Sequence, residues 1–247
     1  MGLNIIYNED CLETMKGMDD NSIDLTITSP PYDSLRVYNG YAFNFESTSK
    51  ELYRVTKEGG VLVWIVGDET IKGSETGTSF RQALGLKESG FNLHDTMIWR
   101  KTNPMPKFKS KRYSCVFEYM FVLSKGQPKT FNPLMQPNKK AGELYDYTMK
   151  VKTTGKVRKK KTFNINSEKY RDNIWEIAVA RNETDHPAVF PERLVSDHIL
   201  SWSNEGDIVY DPFIGSGTTA IAAKKLNRNY IGSEISKEYC AIAVSRI

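Results

Sequence analysis

At 247 residues the chain has room for one α/β domain with an insertion, and it is long enough to bury a core without covalent staples. Its three cysteines, Cys11, Cys115 and Cys240, lie far apart without metal-ligand spacing, which argues against a disulfide framework or a zinc centre and predicts reduced thiols in a cytoplasm. The net charge of +4 is modest, no run approaches the roughly 18 apolar residues of a membrane span, and Met1 to Asp10 lacks a basic region followed by an apolar one, so neither membrane nor export is expected.

Leu3 to Tyr7 predicts a short strand, and Leu12, Met15 and Met18 recur at helical spacing after it. Ile23 to Ile27 is a second β-rich run, stopped by Pro30 and Pro31, which cannot continue a central strand. A helix is expected over Ser47 to Val55. Glu58-Gly59-Gly60 then turns the chain into an apolar strand, Val61 to Val66. Phe80 to Ser89 reads as a helix, and Thr96 to Trp99 and Tyr119 to Leu123 read as strands that can pair antiparallel.

From about Gly126 to Asp185 the chain is polar, lysine-rich and short of apolar periodicity, which predicts an insertion off the sheet. The α/β rhythm returns with a helix from Glu192 to Trp202, a strand at Asp207 to Tyr210, a glycine turn, a helix from Thr218 to Leu226, a strand at Asn229 to Ile231 and a final helix from Ser236. Alternating strands and helices imply a doubly wound, mostly parallel sheet with ligands at the carboxyl ends of its strands.

Positive charge collects in two stretches. One runs from Arg100 to Arg112 through Lys101, Lys107, Lys109 and Lys111; the other holds Lys150, Lys152, Lys156, Arg158, Lys159, Lys160 and Lys161. Aromatics such as Phe108, Tyr113 and Phe163 interleave. Such runs are either solvated faces or phosphate contacts, and other motifs must decide.

Asp211 to Thr219 follows a strand and opens a helix, so Gly215 and Gly217 permit a tight turn and close backbone approach by a ligand. Glu234 comes past the next strand, about where a dinucleotide fold places an acid for ribose hydroxyls. An adenosine site follows. The segment lacks the Gly-Lys-Ser/Thr of a phosphate loop, and threonines replace the third glycine of a nicotinamide-type turn.

Ser29-Pro30-Pro31-Tyr32 fixes an extended backbone without two N–H donors, which leaves carbonyl oxygens available to an amino group. The exocyclic amine of a base is a poor nucleophile because its lone pair is delocalised into the ring. The Pro30 carbonyl and the Ser29 side chain suit the task of accepting its N–H groups, and Tyr32 offers a face on which a flipped base stacks.

Thr28-Ser29-Pro30-Pro31-Tyr32 resembles the catalytic motif of the DNA amino-methyltransferases, and Asp211 to Thr219 resembles their cofactor motif. The order of catalytic motif, then target-recognition region, then cofactor loop resembles the beta class of that family. The resemblance implies a circularly permuted, Rossmann-like methyltransferase fold, with S-adenosylmethionine as cofactor and double-stranded DNA as substrate. It also admits a cognate restriction endonuclease and a second copy of the chain as partners. By resemblance, Asp10 contacts the cofactor adenine, Glu234 its ribose, Phe213, Gly215 and Gly217 its body, and the segment from His186 through Phe190 to Pro191 its methionine end. Cys11, Asp211, Ser216 and Thr218 complete that set. Lys107, Lys109, Lys111, Arg112, Arg158, Lys159, Lys160 and Lys161 are the expected DNA contacts, and no metal ligand is assigned. His94 and His198 are read as structural.

Methylation at a ring carbon needs a cysteine nucleophile in a Pro-Cys loop, and no cysteine here follows a proline. Ser in the first position of the tetrapeptide leans toward cytosine N4, with adenine N6 as the alternative. A structural-RNA methyltransferase and a catalytically silent DNA-binding relative stand further off.

Overall fold

The computed structural model describes residues 1–31, 43–104, 111–150, 157–180 and 190–247, with backbone only at 148–150 and 157–161. It divides into two compact units, Met1–Asn132 with Asn173–Ile247, and Pro133–Asp172.

In chain order the first unit contains β1 (Ile5–Tyr7), α1 (Cys11–Lys16), β2 (Ile23–Thr28), α2 (Phe45–Val55), β3 (Thr56–Val66), the two-residue strands β4 (Thr70–Ile71) and β5 (Ser74–Glu75), α3 (Thr78–Glu88), β6 (Asn92–Lys101) and β7 (Phe117–Ser124). The second unit supplies β8 (Met135–Pro137), β9 (Leu144–Lys150), β10 (Val157–Asn164) and β11 (Glu168–Tyr170). The first unit resumes with β12 (Ile174–Ile177), α4 (Glu192–Trp202), β13 (Ile208–Asp211), α5 (Thr218–Lys225), β14 (Asn229–Ser233) and α6 (Lys237–Arg246).

Among the described residues, eight strands form one sheet in the order β1-β14-β13-β2-β3-β7-β6-β12. β7 alone runs against the other seven. The central strands are buried on both faces, as parallel sheets between helices must be: Val61 to Val66 of β3 are all at most 1% exposed. Leu62, Trp64 and Val66 pack with Leu52 and Val55 of α2 and with Ala83 and Leu86 of α3. Each Leu or Val side chain so removed from water contributes about 1.5–3 kcal/mol. The Trp64 indole N–H, which burial would otherwise strand, donates to Gln82 Oε1 at 2.9 Å. In α5 the buried residues Ala220, Ala222 and Ala223 are small enough to bring the helix close to the sheet. α4 buries His198 in a tilted stack with Trp175 at 4.5 Å, its Nε2 3.3 Å from Met120 Sδ, in keeping with a structural histidine.

The expected elements are present, with two corrections. Gly59-Gly60 does not interrupt the chain before a strand: β3 begins at Thr56, directly after α2, and the irregularity is a bulge between Ile23 and Leu25 in its pairing with β2. Gly59, at φ +79, absorbs that distortion. The polar stretch from Gly126 to Asp185 is also not wholly off the sheet. Ile174–Ile177 joins β6 in parallel as the edge strand, Trp175 and Ile177 are buried, and the Trp99 indole donates to the Ile177 carbonyl at 2.9 Å.

Within the second unit, β8 pairs antiparallel with β11 and β9 with β10. Phe163 stands opposite Tyr145 with ring centroids 5.5 Å apart, and Thr162 Oγ1 donates to Asp146 Oδ1 at 2.6 Å. Among the described residues no helix is long and apolar enough to cross a membrane.

Candidate active site

The sheet reverses its winding between β13 and β2: β13 leads through α5 outward to β14, while β2 leads through α2 to β3. Ligands of open α/β sheets bind in the crevice at such a reversal, outside the carboxyl ends of the strands. Both sequence motifs leave the sheet there, Ser29-Pro30-Pro31 from β2 and Asp211 to Thr219 from β13.

Asp211 is 2% exposed and forms the hub of this crevice. Its Oδ1 accepts from Thr28 Oγ1 at 2.7 Å and from the Phe213 N–H at 3.0 Å, and its Oδ2 accepts from Thr219 Oγ1 at 2.6 Å. Burial pushes its carboxyl up to about 6, against the pull of these three donors. The sequence placed Asp211 among the cofactor contacts; the geometry has both of its oxygens bonded within the protein.

The glycine turn takes the left-handed conformation at Gly215 (φ +53) and Gly217 (φ +87). A Cβ on Gly217 would lie 3.0 Å from Ala243 Cβ, so the missing side chain admits α6 rather than opening space for a ligand. Arg246 of α6 donates to the Ser216 carbonyl and, at 3.0 Å, to Ser216 Oγ. Ser216 and Thr218 are buried in the turn.

Glu234, 6% exposed, closes the turn from the end of β14. Its Oε2 accepts from the Gly215 N–H at 2.9 Å and its Oε1 from the Ser236 N–H at 2.8 Å. Burial raises its carboxyl above the usual range, while these N–H groups pull it back. Each oxygen has taken one donor and keeps a lone pair for another.

β1 brings the third segment to the same edge. The Glu234 N–H donates to the Tyr7 carbonyl at 3.0 Å, and Asn8 Nδ2 donates to the Glu234 carbonyl at 2.8 Å. Asp10 is exposed and caps α1, its Oδ1 accepting from the Leu12 N–H at 2.8 Å. Cys11 is buried, and desolvation, together with the Asp10 charge, pushes its thiol up to about 12. A thiol held protonated in this way is no nucleophile.

On the loop after β2, Ser29 and Pro31 are half-buried and Pro30 is buried; Tyr32 lies outside the described residues. Phe43 meets the Phe213 ring edge-on at 5.3 Å. Phe213 packs against the core, which turns its ring to packing as well as to the turn. Phe190 is half-buried immediately before Pro191, which heads α4; His186 and Pro187 lie outside the described residues.

The expected DNA contacts divide. Lys111 and Arg112 are exposed, and Arg112 bonds the Gly73 carbonyl and Glu75; Lys107 and Lys109 lie outside the described residues. In the same stretch Arg100 pairs with Glu176, and Lys101 with Glu118 at 2.6 Å, so much of this charge is answered within the protein. Arg158, Lys159, Lys160 and Lys161 fall in β10 of the second unit, where the backbone alone is described. Among the described residues no cluster of His, Cys, Asp or Glu is arranged for a metal.

Sequence reasoning missed the roles of Thr28, Thr219, Asn8 and Arg246. The hydroxyls of Thr28 and Thr219, one on each side of the crevice, were the available signal, but their shared partner is visible only in three dimensions.

The family model for DNA methylases matches residues 23–245. The orphan methyltransferase M.BamHII of Bacillus amyloliquefaciens is 56% identical over 242 residues, covering 94% of this chain and 91% of that protein. The crystal structure of the M1.HpyAVI–SAM complex aligns with a TM-score of 0.65 at 26% identity, covering 98% of both chains. The cytosine-N4-specific PvuII DNA methyltransferase aligns with a TM-score of 0.73 over 98% of this chain and 85% of its own, a likeness of fold at 23% identity. With the family model spanning nearly its whole length and a relative sharing more than half its residues, the chain belongs to the DNA methylase family of amino-methyltransferases.

Proposed function

We propose that the protein transfers a methyl group from S-adenosylmethionine to the exocyclic amine of a base flipped out of duplex DNA, with cytosine N4 the favoured amine and adenine N6 the alternative. The observation that carries this reading is the bond from Thr28 to Asp211, which joins the start of the Ser29-Pro30-Pro31 loop to the start of the glycine turn.

The residues fit the cofactor. Glu234 has a free lone pair on each oxygen for ribose hydroxyls, and exposed Asp10, the cap of α1 just beyond the neighbouring strand β1, is available to the adenine. The turn from Phe213 to Thr218 and the segment at Phe190 would hold the rest. When bound, S-adenosylmethionine supplies a methyl group on positively charged sulfur.

The protein's part is positioning. The Ser29 hydroxyl and the Pro30 carbonyl accept the amine N–H groups, which localises the lone pair on nitrogen and directs it at the methyl. Tyr32 supplies the stacking face that keeps the base out of the duplex. Cys11 takes no part, since a desolvated thiol stays protonated. The insertion expected over 126–185, whose 133–172 unit carries the lysines of β10, is the proposed target-recognition region and phosphate contact. A restriction endonuclease cutting the same sequence and a second copy of the chain are the partners this reading admits.

The test is mass spectrometry of nucleosides from duplex DNA treated with protein and methyl-labelled cofactor. N4-methylcytosine is expected. N6-methyladenine would overturn the choice of base, and label absent from DNA or found only in RNA would overturn the reading itself.

A further inference from the structure

β2 and β13 are joined by their backbone ladder as far as the pairing of Tyr210 with Thr26. Two residues farther along β2, the link between them is a side-chain bond, Thr28 Oγ1 to Asp211 Oδ1 at 2.7 Å. The other oxygen of the same carboxylate takes the hydroxyl of Thr219, in the first turn of α5, at 2.6 Å. Thr28 is 0% and Thr219 2% exposed, so none of the three groups exchanges its partner for bulk water. The next residue after Thr28 is Ser29, and the turn between Asp211 and Thr219 carries Gly215 to Thr218.

A short, buried carboxylate bonded on both oxygens has little freedom to change the spacing of the groups it joins. Hydroxyl-to-carboxylate bonds of this kind are charge-assisted and about twice as strong as neutral ones. The chain Thr28–Asp211–Thr219 therefore spans the crevice at the point where the ladder has ended, and either hydroxyl, if lost, lets one wall move relative to the other.

We propose that Thr28 and Asp211 are positioning residues for methyl transfer: through Thr219 they set the spacing between the amine acceptors on Ser29 and Pro30 and the methyl donor at the glycine turn, touching neither substrate. This rests on the methyltransferase reading above. It separates two properties that simple packing would affect together. Cofactor affinity depends on Gly215 to Thr218, Glu234 and Asp10, to which Thr28 is linked through Asp211 rather than directly, whereas the rate of transfer depends on the spacing across the crevice.

The experiment compares wild type, Thr28→Val, Thr28→Ser and Thr219→Val. Three quantities are measured: single-turnover transfer to duplex DNA at saturating cofactor, calorimetric affinity for S-adenosylmethionine, and titration of the Asp211 carboxyl by carbon NMR in the substrate-free protein. Thr28→Val keeps the shape of the side chain and removes the hydroxyl. Its transfer rate is expected to fall about tenfold, the scale of one lost hydrogen bond at the transition state. Its cofactor affinity should stay within about twofold of wild type. The Asp211 titration should move upward in Thr28→Val, because a donor that stabilises the charged form is gone. Thr28→Ser should restore both the rate and the titration. Thr219→Val cuts the same chain from the other side and carries the test if Thr28→Val does not fold; its rate should fall and its Asp211 titration rise. A wild-type rate in the valine variants, or equal losses in Thr28→Val and Thr28→Ser, overturns the positioning role. Failure of the wild type to methylate DNA overturns instead the reading on which it rests.

Discussion

The Gly215 N–H donates to Glu234 Oε2 at 2.9 Å, so the acid proposed for the ribose is also the clasp of the turn it faces. Glu234→Ala loses that clasp, the bond from Ser236 and the ribose acceptor together. Cofactor affinity should weaken by about 1–3 kcal/mol, the range for losing a charged acceptor. Glu234→Gln keeps one acceptor oxygen and should fall between. Isothermal titration of the three proteins checks the order, and equal affinity in all three would remove Glu234 from the site.

Gly217 is constrained twice, by φ +87 and by Ala243. Gly217→Ala should destabilise the fold by about 1–3 kcal/mol, from the left-handed backbone and overpacking together. Ala243→Gly in the same chain should recover part of the overpacking, since it removes the Cβ contact but keeps the Ala243 backbone at 3.1 Å, and it should leave the backbone cost. Urea midpoints of the single and double variants measure this. No recovery would mean that the Ala243 side chain is not what the glycine accommodates.

Asp211 gives a pH signature. Burial raises its carboxyl from 3.8 to about 6, so the folded protein binds this proton more tightly than the unfolded chain. The stability it contributes is fully present below about pH 4 and is lost as the pH rises through about 6. A shift of this size corresponds to about 3 kcal/mol. Asp211→Asn removes the titration. Its stability should therefore change less than that of wild type between roughly pH 4 and 7, by about that amount. Urea unfolding at the two pH values gives the comparison; parallel changes in the two proteins would contradict it.

The lysines of β10 are tested by salt. If Lys159, Lys160 and Lys161 each neutralise one phosphate, replacing all three with Ala should lower the slope of log affinity against log salt by about 2.7, at about 0.9 per phosphate on duplex DNA. Fluorescence anisotropy with a labelled duplex across a salt series measures the slope. An unchanged slope returns this run to a solvated face.

How much of this was legible in the sequence depends on the range of the interaction that decides each feature. The end of β2 was readable because Pro30 and Pro31 act on their own backbone, and α4 was readable because Leu194, Val195, His198, Ile199 and Trp202 keep helical spacing over three turns. β12 was not, because four residues at the end of a polar stretch give only two inward positions, Trp175 and Ile177. Gly59-Gly60 resembled a turn because the sequence shows the left-handed residue and not the bulge that uses it. The link between the two motifs was out of reach for another reason: Thr28 and Asp211 are 183 positions apart, and nothing local to either names the other.

The sheet order β1-β14-β13-β2 places the last two strands of the chain between the first two. During synthesis β1 and β2 emerge early, and the gap between them stays open until residues 208–233 have been made. Through that interval β2 presents a bare, apolar edge of the kind that invites pairing with foreign strands. By the same order, a nascent polypeptide that has reached only β12 has Ser29 and Asp10 but neither Asp211 nor Glu234, so the crevice comes into existence only once β13 and β14 have been made.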